Sequence, residues 1–227
     1  MAKILNIETA TTVCSISVGI DGEIVSVNEI NDGYSHAEEI EGLIEKSLQD
    51  ANLSLKELDA ISVSKGPGSY TGLRIGVSIA KGLCFGLNVP LISVPTLEAL
   101  ANHPSVLENN SANRIPMLDA RRMEVYATVL DARNHVIVPT AAVVIEEESF
   151  KDTLQNPTVF FGPGSEKCKE NFLANPNAIF IENVLPSAAQ MVQISDTKFT
   201  ENKVEDVAYF EPFYLKDFVA GKPKKLL

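Results

Sequence analysis

The sequence predicts an α/β protein in which one βββαβα unit occurs twice and forms two lobes. Two landmarks recur in the same order. The segment Ile7-Glu8-Thr9-Ala10 is matched by Leu118-Asp119-Ala120-Arg121, and the tetrapeptide Gly-Pro-Gly-Ser begins at Gly66 and again at Gly162. Both copies of the first landmark precede a hairpin pattern, and both copies of the tetrapeptide lie between a β-rich and a helical run. Matched landmarks in one order indicate an internal duplication.

The first unit contains the complete set of elements. An apolar run beginning at Lys3 is typical of a buried strand; period-two alternation follows it, and Asp21-Gly22 then favours a tight hairpin turn. Ser54 and Glu57 form a capping-box pattern before the next strand. The elements predicted for this unit are, in chain order, strands at 3–9, 14–20 and 24–30, a surface helix at 36–52, a strand at 60–64, a helix at 71–87 and a strand at 91–94.

The second unit is shorter than the first. Residues 125–130 alternate in polarity, residues 131–135 have the composition of a turn, and residues 136–138 return as a strand. We therefore predict an N-terminal lobe at residues 1–100 and a smaller C-terminal lobe at residues 101–227, each built around a mixed sheet.

The composition is that of a folded, soluble protein. The chain has 227 residues, of which 45% are hydrophobic and 22% are charged, and these values exclude disordered, collagen-like and disulfide-scaffold classes. The formal net charge of −11 opposes unaided binding of nucleic acid, because phosphate contacts require clustered cations. The longest apolar tract, residues 75–94, contains Lys81, Asn88 and Pro90, and the N-terminus lacks a signal-peptide pattern, so we expect no membrane association.

The residue types that most often carry chemistry are sparse. The three cysteines are widely separated and set among apolar residues, which fits neither a disulfide framework nor a zinc site and predicts a reducing, cytoplasmic compartment. The histidines at 36, 103 and 135 are isolated, and Ser69 lacks the sequence pattern of a serine nucleophile. The sequence therefore predicts no catalytic residue, no metal ligand and no cofactor.

Two hypotheses concern the ends of the predicted strands. The Gly66–Gly72 loop lies between a strand and a helix, where backbone N–H groups could hold an anion, although a turn that merely positions the helix explains the same residues. Glu8 and Asp119 could face each other across a cleft and hold a metal–nucleotide, or each could cap a turn. The residues that would contact an anion or nucleotide are Glu8, Gly66, Gly68, Ser69 and Asp119.

The helix at 71–87 is apolar on two faces. One face would pack on its own sheet, and we expect the other to receive a partner; a central helix enclosed within a single domain is the alternative. The residues predicted to form the partner face are Leu73, Gly76, Val77, Ala80 and Cys84. A charge placed at Val77 or Ala80 should then leave the chain folded but prevent association.

Several segments resemble the TsaB (YeaZ) family of bacterial tRNA threonylcarbamoyladenosine biosynthesis proteins. They are Ile4–Thr9 with Val13–Ser15, the run from Lys65 to Leu83, Met117–Tyr126 and the closing stretch Pro212–Lys216. The resemblance covers nearly the whole chain. It implies the actin, sugar-kinase and Hsp70-like fold, in agreement with the duplication.

The resemblance also implies a role in placing a threonylcarbamoyl group on the adenosine next to the tRNA anticodon. By this resemblance the chain is a non-catalytic subunit that organises the catalytic paralogue TsaD and the ATPase TsaE. It reaches tRNA only indirectly through the complex and forms a homodimer when alone, through the surface that otherwise receives TsaD. TsaD carries an HxxxH metal motif, whereas the similar positions here are Thr96 and Leu100, which cannot ligate a metal there. The alternatives are a nucleotide-dependent kinase or ATPase and, least favoured, a metallopeptidase.

Overall fold

The computed structural model of the chain describes residues 1–33 and 36–216. The helices and strands in these ranges are, in chain order, β1 (Lys3–Glu8), β2 (Cys14–Ile20), β3 (Glu23–Ile30), α1 (His36–Asp50), β4 (Ala60–Gly66), α2 (Tyr70–Leu87), β5 (Leu91–Pro95), α3 (Thr96–Leu100), α4 (Pro104–Leu107), β6 (Asn113–Asp119), β7 (Glu124–Leu130), β8 (Val136–Val144), β9 (Thr158–Phe161), α5 (Lys169–Phe172), β10 (Ala178–Ile181) and α6 (Val192–Thr200).

The strands form two five-stranded sheets of the same topology. The first has the order β3-β2-β1-β4-β5 and the second β10-β9-β6-β7-β8. In each sheet the first three strands of the unit pair antiparallel, and the fourth then pairs parallel to the first. The predicted duplication of a βββαβα unit is therefore confirmed.

The local signals of the first unit act as expected. Asp21 and Gly22 have φ angles of 50° and 78°, which the tight turn between β2 and β3 requires. The Ser54 backbone N–H donates to Glu57 Oε2 at 2.9 Å, and this capping box begins a short 3-10 turn. Helices α1 and α2 cover one face of the first sheet and enclose its main core.

The second unit keeps its strands and loses most of its helices. Between β8 and β9 it has only a 3-10 turn at Thr153–Gln155, and between β9 and β10 a 3-10 turn at Glu166–Cys168 and the single-turn α5. On this side of the second sheet the core contains stacked phenylalanines. The ring centroids of Phe160 and Phe172 lie 5.1 Å apart, and the two ring planes are 11° from parallel.

The helix that follows each sheet packs against the other sheet. Leu97 and Leu100 of α3 lie in the core of the second sheet, whereas Phe199 of α6 packs on Ile4 and Ile92 of the first. The turn before α6 is also tied to β2, because Ser17 Oγ donates to the carbonyl oxygen of Ala188 at 2.9 Å. The assignment of residues 101–227 to one C-terminal lobe therefore needs a correction, since residues 188–200 pack on the first sheet.

The face of α2 predicted to receive a partner is the face that packs on the sheet. Leu73, Val77, Ala80 and Cys84 are each at most 5% exposed, and Gly76 is buried. Gly76 lies so close to β1 that an added Cβ would be 2.3 Å from Thr9 Oγ1. The opposite face is open to solvent: its exposed residues are Thr71, Arg74, Ser78, Gly82, Phe85 and Gly86.

Candidate functional site

A cleft of about 1170 Å³ separates the two units. Its walls are formed by the loop after β1, the Gly-Pro-Gly-Ser loop after β4, the turn after β6 and the extended segment before residue 217. The carboxyl ends of parallel strands usually bind ligands in α/β folds, and the cleft lies at these ends of both sheets.

Glu8 is enclosed at the base of the first wall and does not line the cleft. Its side chain is fully buried, and Oε1 accepts hydrogen bonds from the Ala10 N–H at 2.5 Å and the Ser64 hydroxyl at 3.0 Å. Oε2 has no hydrogen-bond partner among the described residues. Burial raises the pKa of Glu8 to about 7, since desolvation outweighs these hydrogen bonds.

Asp119 occupies the equivalent strand end of the second unit in a different environment. Its carboxylate accepts from the Arg121 N–H at 2.7 Å and from Lys167 Nζ at 2.5 Å. Partial burial opposes ionisation, but the hydrogen bonds from Lys167 and Arg121 lower the pKa of Asp119 below its usual value. Asp119 lines the cleft and Glu8 does not, so the two carboxylates are not brought together as a metal–nucleotide pair.

The Gly-Pro-Gly-Ser loop binds its own chain. The Ser69 N–H donates to the Ala10 carbonyl oxygen at 2.7 Å, and Ser69 Oγ accepts from the Gly72 N–H at 3.3 Å. Gly66 has a φ of 109°, and a Cβ added at Gly68 would lie 2.4 Å from the Ala10 carbonyl oxygen. Of the two hypotheses for this loop, the geometry favours a turn that positions α2. It argues against an anion site, because the N–H donors named here already bind the chain itself.

The three histidines have local partners. His36 Nε2 lies 2.7 Å from the Thr11 carbonyl oxygen, His103 caps α4, and His135 contacts Asp131. Thr96 and Leu100 are buried. Within residues 1–33 and 36–216, no group of three or more His, Cys, Asp or Glu side chains could hold a metal ion. The three cysteines are free and buried, and burial raises the pKa of each thiol to about 11.

One feature of the cleft is not predicted from the sequence. Arg121 and Arg122 stand at its mouth in the β6–β7 turn, and Tyr214 and Lys216 of the C-terminal segment complete the wall. That segment is held to the first unit by the Phe213 N–H, which donates to the Lys65 carbonyl oxygen at 2.7 Å. The adjacent arginines were visible in the sequence, but the return of the C-terminal segment was not.

Comparison with known proteins gives the family. A family model described as "TsaD: tRNA N6-adenosine threonylcarbamoyltransferase" matches residues 32–223. The tRNA threonylcarbamoyladenosine biosynthesis protein TsaB of Escherichia coli is 31% identical, and the alignment covers 97% of each chain. The chain belongs to the TsaB family.

Solved structures support the same fold for this TsaB-family chain. YeaZ from Pseudomonas aeruginosa aligns with a TM-score of 0.80 at 23% identity, over 95% of this chain and 100% of that one. The activator of 2-hydroxyisocaproyl-CoA dehydratase from Clostridium difficile, solved with bound ADPNP, has a TM-score of 0.50 at 10% identity and covers 90% of this chain and 98% of that one. The fold is that of the actin, sugar-kinase and Hsp70-like proteins. Of the helices in the described ranges, none has the length and apolar character needed to cross a bilayer.

Proposed function

We propose that this chain is a non-catalytic subunit of the machinery that makes threonylcarbamoyladenosine in tRNA, where it organises a TsaD-like catalytic subunit and a TsaE-like ATPase. The observation that carries the non-catalytic role is the loop after β4. Its Ser69 N–H and Gly72 N–H bind the chain itself, and the Glu8 carboxyl beside it is enclosed. The assignment to threonylcarbamoyladenosine synthesis rests on family membership, since the E. coli relative is named for threonylcarbamoyladenosine biosynthesis.

A nucleotide-dependent kinase or ATPase is the second candidate, because a protein of the same fold was solved with bound ADPNP. Fold likeness alone is a weak argument for chemistry. Calorimetry with ATP and Mg²⁺ on the purified chain separates the two, and tight binding with turnover would contradict the non-catalytic proposal. Stoichiometric zinc or iron in the purified chain would instead support the metallopeptidase.

The partner surface that the structure offers is the exposed face of α2. Phe85 is 87% exposed there, and a Cβ atom added at Gly82 or Gly86 would meet no atom within 4 Å. The two glycines allow another helix to approach closely, and burial of the exposed phenylalanine side chain against a partner would be favourable. We propose that this face, together with α1, binds a second copy when the chain is alone and the TsaD-like subunit in the complex, so that the two contacts exclude each other.

Arginine at Gly82 should leave the fold intact and break the contact. The new side chain meets open space within the lobe, but in a helix–helix contact its charge would be buried without a counter-ion, at a cost of about 3–5 kcal/mol. That cost corresponds to a loss of at least a hundredfold in affinity. Sedimentation velocity should show a monomer, and a pull-down with the TsaD-like subunit should fail.

The matched control is Thr197→Arg, which places the same charge at an exposed position of α6. The control should associate like the unsubstituted chain. If Gly82→Arg stays dimeric and still supports tRNA modification, the partner surface lies elsewhere on the molecule.

A further inference from the structure

The turn between β6 and β7 holds two arginines in a backbone conformation that does not suit them. Arg121 has a φ of 72° and Arg122 a φ of 50°. Positive φ is uncommon in residues other than glycine and asparagine, and long side chains held there cost conformational energy. The turn is held by the Ala120 N–H, which donates to the Glu124 carbonyl oxygen at 3.1 Å, and by the bond from the Arg121 N–H to Asp119. Strain maintained in this way points to a function of the two side chains.

Neither guanidinium has a hydrogen-bond or ion-pair partner among the described residues, and both side chains are exposed. The carboxylates nearby are already neutralised: Asp119 pairs with Lys167 at 2.5 Å, and Glu124 pairs with Lys216. Arg121 and Arg122 are thus two exposed positive charges at the mouth of the cleft, and that of Arg121 also acts on the Asp119 carboxylate. A ligand that neutralises them must be anionic.

Aromatic rings line the same cleft. Tyr70 and Tyr214 have ring centroids 5.0 Å apart with a 39° tilt, and the guanidinium of Arg74 lies 4.3 Å from the centre of the Tyr70 ring. Tyr126 lies beside the arginine turn, with Lys216 Nζ 5.9 Å from its ring centre. Arginines next to tyrosines form the surface on which proteins bind unstacked bases together with their phosphates.

From this juxtaposition we propose that the mouth of the cleft binds single-stranded RNA. Arg121 and Arg122 contact phosphates, and a base stacks on the tyrosine wall formed by Tyr126 and Tyr214. Paired bases remain stacked on each other and cannot lie on this wall, so a duplex fits it less well. In naming the anticodon loop of tRNA as the source of the RNA, the proposal rests on the proposed function.

The proposal changes the expectation that this chain reaches tRNA only through its partners. That expectation follows from the family resemblance and agrees with the net charge of −11. Net charge is an average over the molecule, whereas phosphate binding depends on where the cations lie. The structure places Arg121 and Arg122 together at one opening, so a local contact is compatible with an acidic chain whose partners supply most of the affinity.

The double variant Arg121→Asn/Arg122→Gly tests the proposal with two readouts of opposite sign. It removes both charges and installs residue types that adopt positive φ more readily than arginine, so the melting temperature should rise while RNA binding falls. Fluorescence anisotropy with a labelled anticodon stem-loop RNA, over a series of KCl concentrations, should show binding at least tenfold weaker at low salt. The slope of log affinity against log salt should decrease in magnitude by about 1.4, which is about 0.7 for each of the two phosphates that the variant no longer binds.

The control Arg133→Asn/Lys151→Gln removes two exposed cations at sites outside the cleft. It should bind the RNA like the unsubstituted chain. Unchanged affinity and salt slope in the cleft variant, or no RNA binding by the unsubstituted chain at low salt, would overturn the proposal. Equal competition by duplex RNA of the same length, or by free ATP at the same concentration, would overturn the assignment to a single strand.

Failure of this inference can be told apart from failure of the proposed function. In a reconstituted modification reaction with the TsaD-like and TsaE-like subunits, the cleft variant should raise the KM for tRNA and leave kcat unchanged. If the unsubstituted chain supports modification and the variant does so with the same KM, only the RNA contact is wrong. If the unsubstituted chain supports no modification, the proposed function is wrong.

Discussion

Arginine in place of Val77 should unfold the first unit instead of merely separating it from a partner. Val77 is 5% exposed and packs in the core between α2 and the first sheet. The cluster in which it packs consists of apolar residues. An arginine at this position would be a buried charge without a partner. Leaving a buried charge unpaired in this way costs about 3–5 kcal/mol, which is a large part of the free energy of unfolding of a domain of this size.

The matched control is Ser78→Arg, which places the same side chain one residue further along α2 on its exposed face. Urea unfolding followed by circular dichroism should give a free energy of unfolding close to that of the unsubstituted chain for Ser78→Arg. For Val77→Arg we expect a large decrease or no folded baseline. Equal midpoints for the two variants would show that the face containing Val77 is not the core face.

Glutamine in place of Glu8 should remove a large pH dependence of stability. Burial raises the pKa of Glu8 from 4.5 to about 7 in the folded chain. Between these two values the folded state holds a proton that the unfolded state has released, so stability falls as the pH rises through this window. At about 1.4 kcal/mol per pKa unit, the loss reaches about 3 kcal/mol at pH 8.

The amide of glutamine cannot ionise, and its oxygen can still accept from the Ala10 N–H and the Ser64 hydroxyl. Glu8→Gln should therefore match the unsubstituted chain near pH 4.5 and exceed its stability by up to about 3 kcal/mol at pH 8. Urea titrations at a series of pH values measure this difference. Asp119→Asn is the control, because a carboxyl with a lowered pKa adds stability that is lost only as the pH falls. Parallel pH profiles for Glu8→Gln and the unsubstituted chain would contradict the account of Glu8.

The strands and hairpins follow from the sequence because their signals are local. Alternation and the Asp21-Gly22 dipeptide predict β2 and β3 almost to the residue, and the repeated Gly-Pro-Gly-Ser marks equivalent loops with positive φ at Gly66 and Gly162. The orientation predicted for α2 was wrong because apolar residues occupy most of its circumference and leave only a narrow polar stripe at Arg74, Ser78 and Lys81. Close packing at Gly72 and Gly76 decides which face is inside, and it depends on the position of Thr9, which is distant in sequence.

The candidate site was less predictable than the fold. Glu8 and Asp119 end equivalent strands, but pattern alone does not show that one is enclosed and the other paired with Lys167. The return of residues 188–200 to the first unit depends on contacts between segments far apart in the chain, such as Phe199 with Ile4. Periodicity within a segment carries no information about such contacts.

The exchange of α3 and α6 between the two sheets has a consequence for synthesis on the ribosome. When residues 1–100 have emerged, the face of the first sheet that carries Ile4, Ala60 and Ile92 is still bare, because α6 is the last helix of the described chain to be translated. Loop closure over nearly the whole length must come before this face is covered, and such non-local contacts form slowly. The nascent chain therefore cannot complete its first half before its second: the core residues of the second sheet have all been translated by residue 184, whereas the first sheet is covered only after translation has passed residue 200.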